Sequence, residues 1–240
     1  MSSQGGDCHA GETDSAGRIW TTLAGGCRLR LQSILFPFYI FGGLNNPTYD
    51  PDFKLYETAK KEKKKREIKI VILPYRSKTL SPDFIGKERT IATMLARQLT
   101  ERFAANKENV KIVPIHDVEK FQRTHDWQSM DPSEVAKHFE ADYVIDLELA
   151  ELRLFERKSF GMFFNGYCRV SVTINDVEKV GQEPVFKQDF PMQYPKSGPR
   201  VADLDDSVGK FEQDFFTQIS IRLAWVLTAH PTAEQCECAQ

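Results

Sequence analysis

Residues 68–74 read Ile-Lys-Ile-Val-Ile-Leu-Pro, an apolar run that only Lys69 interrupts. A run of this kind predicts a central β-strand that is covered on both faces, and Pro74 marks its end. A helix is predicted to follow from about Gly86 to Ala105, because apolar residues recur there at helical spacing. These residues are Ile91, Leu95, Leu99 and Phe103. The strand and the helix together open an α/β domain.

The next segment of the chain predicts a short strand and two helices. The strand is expected at 110–115, and a short helix at 116–121. A further helix is expected to begin at Asp131, because an aspartate cap followed by proline and an acidic first turn is typical of a helix start. These elements continue the alternation of strands and helices that begins at residue 68.

Two long alternating segments then predict half-buried strands at 143–154 and 167–176. In the second of them, Cys, Val, Val and Ile are expected to face inward, and Arg, Ser, Thr and Asn outward. We expect the two strands to be antiparallel and to be joined by the loop 156–166. One more strand is predicted at 184–190.

The clearest helical pattern lies between several helix caps at 203–207 and His230. One apolar stripe runs along it, formed by Val208, Phe211, Phe215, Ile219, Leu223 and Val226. The predicted fold class is therefore α/β: a mixed β-sheet of about five strands flanked by helices, with a long C-terminal helix. The domain is expected to span residues 68–230, with a flexible tail at 231–240.

The composition of the chain excludes some classes of protein. The chain has 240 residues, 41% hydrophobic and 28% charged, which is ordinary for a globular protein. A net charge of −2 gives no general attraction to nucleic acid, and we predict no nucleic-acid partner. The five scattered cysteines do not predict a disulfide framework. No apolar run is long enough for a membrane-spanning helix.

The first 52 residues are predicted to be a disordered leader and tether. Ala-Gly-Gly-Cys at residues 24–27 is similar to the sequence at which bacterial lipoproteins are lipidated. The flanking residues do not form a good signal peptide, so Cys27 is either a lipid-attachment site or an ordinary thiol. Residues 53–67 are predicted to be a basic helical linker. Its lysines lie in solvent, contact an anionic membrane, or bind nucleic acid weakly.

Few residues in the sequence indicate a catalytic or metal-binding site. Asp146 and Glu148 share a strand face about 7 Å apart, where paired carboxylates could carry out acid–base chemistry or bind a metal. A solvated face is the alternative. The histidines show no zinc-ligand spacing, and no phosphate loop or nucleophile elbow occurs. We therefore predict no catalytic residue, no metal and no cofactor.

The hairpin loop carries apolar residues that folding does not require. They are Phe160, Met162, Phe163 and Phe164. Large apolar side chains at a hairpin tip predict a contact surface for a partner. The alternative is that they fold back over the sheet.

Four segments resemble a family of bacterial envelope domains: residues 70–74, 94–99, 110–114 and 135–145, the last with Ala-Asp-Tyr between helix and strand. The family is that of the ABC-type transport auxiliary lipoproteins. It includes the curli-secretion channel lipoprotein, the N-terminal domain of the Tol propeller protein and the lipoprotein activators of penicillin-binding proteins. The resemblance implies an α/β domain that works by protein contact and is tethered through a cysteine, for which Cys27 is the match.

Two functional hypotheses follow. The first is a non-enzymatic cell-envelope lipoprotein, facing the periplasm, that binds an envelope protein or itself and serves assembly, secretion or transport. The alternative is a soluble cytoplasmic enzyme, or a small-ligand or metal binder, that uses Asp146 and Glu148.

Overall fold

The computed structural model describes residues 48–63, 67–179, 183–201 and 207–231. The helices in these ranges are α1 (Leu55–Lys63), α2 (Lys87–Ala105), α3 (Ile115–Thr124), α4 (Pro132–Phe139) and α5 (Val208–Leu227). The strands are β1 (Thr48–Tyr49), β2 (Ile68–Arg76), β3 (Val110–Ile112), β4 (Tyr143–Phe155), β5 (Phe163–Asp176), β6 (Phe186–Tyr194), β7 (Arg200–Val201) and β8 (His230–Pro231).

The main sheet is mixed, as predicted. Its strand order is β3-β2-β4-β5-β6, and β7 pairs with the start of β5. Strand β2 runs parallel to both β3 and β4, whereas β4, β5 and β6 are antiparallel. The expected antiparallel pairing of the two long strands is therefore confirmed. Strands β1 and β8 form a separate antiparallel pair.

Strand β2 is buried on both faces, because helices lie on each side of it. Ile70 and Ile72 belong to the larger apolar cluster, together with residues of α2 and α5. Val71 and Leu73 belong to a smaller cluster with residues of α3 and α4. A continuous apolar run is what a strand in this position requires.

Helix caps lie where the sequence predicts them. The Asp131 carboxylate accepts a hydrogen bond from the Ser133 N–H at 2.8 Å, and Pro132 is the first residue of α4. The Ser207 hydroxyl oxygen accepts from the Lys210 N–H at 3.1 Å and begins α5. Both caps satisfy backbone donors that have no partner inside the helix.

The start of the basic segment contributes to the core. Leu55 and Ala59 in α1 are fully buried, and the Phe53 N–H donates to the Val226 carbonyl at 2.9 Å. The spacing of these two residues places them on one helix face, which packs before the lysines begin. Lys60 and Lys61 are exposed, and the side chains of residues 62–66 lie outside the described residues. The domain boundaries stay predictions.

Several strands extend beyond their predicted ends, and β2, for example, continues past Pro74 to Arg76. Strand β5 begins at Phe163, so the connecting loop is 156–162 and the predicted loop 156–166 is too long. The Glu156 N–H donates to the Phe163 carbonyl at 2.9 Å and continues the hairpin ladder to this point. Strand β6 continues to Tyr194 through Pro191, which an edge strand tolerates.

Candidate protein-contact site

The loop between β4 and β5 is held by its own hydrogen bonds. The Ser159 N–H and hydroxyl both donate to the Glu156 carbonyl, at 3.2 and 2.8 Å. The Met162 N–H in turn donates to the Ser159 carbonyl at 3.0 Å. Below the loop, the Asn165 amide donates to the Glu156 carboxylate and accepts from the Gln193 amide. These bonds give the loop a defined conformation.

This conformation requires left-handed backbone at three loop residues. The φ angles are 64° at Lys158, 51° at Phe160 and 82° at Gly161. Glycine adopts this region freely, but each of the other two residues costs roughly 1–2 kcal/mol there. The surrounding hydrogen bonds offset that cost. As a result, Phe160 projects into solvent and is 96% exposed.

The exposed apolar side chains around Phe160 form one surface. Met162 is 59% exposed, Phe163 38% and Val201 62%. Val201 joins the surface because β7 pairs it directly with Phe163. We call these four residues the apolar tip: Phe160, Met162, Phe163 and Val201. Exposed Arg157 and Lys158 precede it in the loop.

Sequence reasoning missed Val201 and wrongly included Phe164. Phe164 is only 1% exposed, and its ring stacks on Phe155 at 5.3 Å and on Phe211 at 4.6 Å between centroids. Because β5 begins at Phe163, neighbouring side chains point to opposite faces, so Phe164 enters the core. Val201 gave no signal in the sequence, because its two-residue strand is defined only by pairing with β5.

The two carboxylates of β4 lie on one face, as predicted, and each has a neighbour. Asp146 accepts a hydrogen bond from the Asn175 amide at 2.9 Å. The Tyr75 hydroxyl lies 3.5 Å from the Glu148 carboxylate. Burial raises the pKa of Asp146 to about 6, and the bond from Asn175 opposes that shift. The pKa of Tyr75 rises to about 12, first through burial and then through the nearby charges of Glu148 and Asp146.

This carboxylate pair does not resemble a metal centre. Among the described residues, no group of three or more His, Cys, Asp and Glu side chains could hold an ion. Two open grooves of about 390 and 480 Å³ lie beside β3, and neither Asp146 nor Glu148 lines them. A raised carboxyl pKa is compatible with general-acid chemistry, but burial alone accounts for it. A catalytic or metal-binding role for the pair stays the alternative hypothesis.

The predicted lipid-attachment residue Cys27 lies outside the described residues. Within the described part of the chain, no helix is long and apolar enough to cross a bilayer.

Comparisons with known proteins give weak similarities. No family model matches this sequence, and no curated protein matches it. Lipoprotein GNA1162 from Neisseria meningitidis is 14% identical, with 64% of this chain and 98% of that one covered and a TM-score of 0.42. PelC from Paraburkholderia phytofirmans, described as a dodecamer, is 15% identical, with 68% and 91% covered and a TM-score of 0.39.

The rare lipoprotein B from Shewanella oneidensis is a third similar structure. It is 15% identical, with 65% of this chain and 87% of that chain covered and a TM-score of 0.28. Similar structures thus include proteins named as bacterial lipoproteins. Similarity at this level carries no argument about function, and the specific envelope family expected from the sequence stays a prediction.

Proposed function

We propose that this chain is a non-enzymatic protein of the bacterial cell envelope that works by protein contact, with the apolar tip as its docking surface. The observation that carries the proposal is Phe160: a phenylalanine that is 96% exposed and held in left-handed backbone. Folding gains nothing from that exposure. Strain of this kind is typical of positions that contact ligands or partners.

The apolar tip has the size and the polar edge of a protein–protein contact surface. Burying one phenylalanine side chain contributes about 1.5–3 kcal/mol, so three or four apolar side chains suffice for a docking anchor. Exposed Arg157 and Lys158 give the anchor a polar edge, as protein interfaces have. The occupant that fits best is an apolar pocket on another envelope protein.

Site-specific photo-crosslinking in intact cells tests the docking surface. A benzophenone amino acid replaces Phe160 in one variant and Ile85 in the other. Ile85 is the matched control, because it is a 63% exposed apolar residue in a different loop. We expect one discrete adduct from position 160, weakened by Phe163→Ser, and none from position 85. The adduct's mass distinguishes a partner protein from a second copy of this chain.

The same adduct pattern from both positions, or no adduct from either, would contradict the proposal. Binding of the purified protein to phosphatidylglycerol vesicles, lost in Phe160→Ser and retained in Ile85→Ser, would instead make the tip a membrane contact.

Lipid attachment at Cys27 is the proposed tether. Fractionation of cells that carry the wild type and Cys27→Ser tests it. We expect the wild type in washed membranes and the variant in the released fraction. Equal release of both proteins would exclude lipid attachment at Cys27.

One observation favours the alternative function, namely the pKa of Asp146 near 6 beside Tyr75 and Glu148. Under that hypothesis the protein is recovered in the cytosol and binds a divalent metal or small ligand tightly. Binding should then be lost in Asp146→Ala and retained in Phe160→Ser. The reverse pattern supports the docking function.

A further inference from the structure

Two histidines at the C-terminal ends of α3 and α4 lie beside each other. His125 is the residue that ends α3, and His138 lies in the last turn of α4. Their ring centroids are 5.4 Å apart, and both side chains are exposed. Each ring also packs on the buried Phe121, at 4.4 and 4.6 Å between centroids. The shared aromatic neighbour holds the two imidazoles close together.

Nδ1 is the ring nitrogen through which His125 contacts its own helix. Its Nδ1 lies 3.2 Å from the Phe121 carbonyl oxygen and 2.9 Å from the Thr124 hydroxyl. That hydroxyl can donate to the Lys120 carbonyl, which lies 3.0 Å away. Because Nδ1 is engaged by these two groups, Nε2 is the ring nitrogen that is open to a metal ion. Metal-binding histidines are oriented by the same bond from the second ring nitrogen to a backbone carbonyl.

The helix termini favour a cation, and the charges of the neighbouring side chains balance. Both histidines lie at helix C-termini, where unpaired carbonyl groups leave a partial negative charge. The open groove beside His138 is also lined by the carboxylates of Asp117 and Glu140, which offset the charges of Lys69 and Lys111.

We propose that His125 and His138 form a two-ligand site for a transition-metal ion, with water at the remaining coordination positions. Imidazole suits Cu²⁺, Ni²⁺ and Zn²⁺, whereas Mg²⁺ and Ca²⁺ prefer oxygen ligands. The affinity should therefore be highest for Cu²⁺, lower for Ni²⁺ and Zn²⁺, and undetectable for Mg²⁺. The site is distinct from the apolar tip and does not depend on the proposed docking function.

Isothermal titration with Cu²⁺ and Zn²⁺ tests the site. The background is the full chain with Cys8→Ser, Cys27→Ser, Cys236→Ser and Cys238→Ser, because thiols bind the same metals, and the buried Cys168 is kept. His125→Gln and His138→Gln should each weaken binding by more than the roughly 10- to 100-fold that loss of an outer-sphere partner causes. The matched control is His116→Gln, an exposed histidine at the other end of α3, which should leave binding unchanged.

A second measurement separates ligation from folding. The Cu²⁺ electron paramagnetic resonance spectrum of the background protein should show coupling to two imidazole nitrogens, and each single variant should lose one of them. Both variants should keep the metal-free circular dichroism spectrum, because both side chains are exposed. Binding that is equally tight in His125→Gln, His138→Gln and His116→Gln would overturn the proposal. So would a spectrum without nitrogen coupling in the background protein.

Discussion

The two faces of the main sheet differ in what covers them. One face packs under α2 and α5, with Phe211, Phe215 and Ile219 almost fully buried. On the other face, α3 and α4 cover only β2 and the start of β4. The rest of that face, on β4, β5 and β6, carries polar side chains. The same strands supply both faces, so the comparison separates residues that stabilise the fold from residues that are available for other roles.

The polar face carries cross-strand pairs. Arg169 pairs with Glu151, the Ser171 hydroxyl donates to Asp189, and the Arg153 guanidinium lies 4.8 Å above the Tyr167 ring. Such partly exposed pairs contribute at most about 1 kcal/mol each. Stability should therefore depend mainly on the covered face.

The largest expected effect tests the covered face. Phe211 is fully buried, and its ring lies 4.6 Å from that of Phe164 and 5.6 Å from that of Tyr194. Phe211→Ala should lower the free energy of unfolding by about 3–5 kcal/mol, measured by urea denaturation, because it leaves a cavity. Ser171→Ala on the polar face is the control and should cost less than about 1 kcal/mol, because its hydrogen bond to Asp189 is exposed to solvent. Similar losses in both variants would mean that stability does not depend mainly on the covered face.

A smaller effect is expected where β5 contacts α5. A Cβ atom on Gly166 would lie 2.7 Å from the Phe215 ring, closer than van der Waals contact allows. Gly166→Ala should therefore cost about 1–3 kcal/mol through overpacking.

Replacing the opposing ring sharpens that test. In a Phe215→Leu background, the cost of Gly166→Ala should fall, as a double-mutant cycle of urea midpoints would show. Equal costs in both backgrounds would mean that backbone conformation, and not the ring, requires glycine.

Asp146 should give the polar face a pH dependence. Burial raises its folded-state pKa from 3.8 to about 6, so between these pH values the native protein binds a proton more tightly than the unfolded chain. Stability therefore falls as the pH rises through this range, by about 2 kcal/mol for a partly exposed group. Asp146→Asn should flatten this slope and raise the free energy of unfolding at pH 7 by about 1–2 kcal/mol.

Urea unfolding at intervals between pH 4 and pH 7 measures the slope. Asn175→Ala is the matched variant, because it removes the bond that lowers the pKa of Asp146 and should move the transition to higher pH. An unchanged slope in Asp146→Asn would assign the pH dependence to another group.

The smallest expected effect is at the apolar tip. Phe160→Ser removes a side chain that is 96% exposed, so the free energy of unfolding should stay within about 0.5 kcal/mol. Thermal unfolding measures this, with Ile85→Ser as the control. A large loss in Phe160→Ser alone would mean that the tip serves the fold.

The sequence predicted the elements with strong periodicity. It did not predict the start of β5 or the short strand β7, which depend on pairing between strands. The stripe of α5 is confirmed at Phe211, Phe215, Ile219, Leu223 and Val226, which are buried, whereas Val208 in its first turn is 45% exposed. The β4–β5 pairing and the shared face of Asp146 and Glu148 follow from period-2 alternation. The start of β5 could not be predicted, because Phe163 and Phe164 are chemically alike and only the hairpin register assigns their faces.

The sequence by itself determined the long helices and strands, the helix caps and the mixed α/β class, because hydrophobic periodicity and cap chemistry are local properties. Tertiary structure alone decided that Val201 joins the apolar tip, that Phe164 leaves it and that His125 meets His138. Each of these depends on contacts between segments far apart in the chain, which local patterns do not encode.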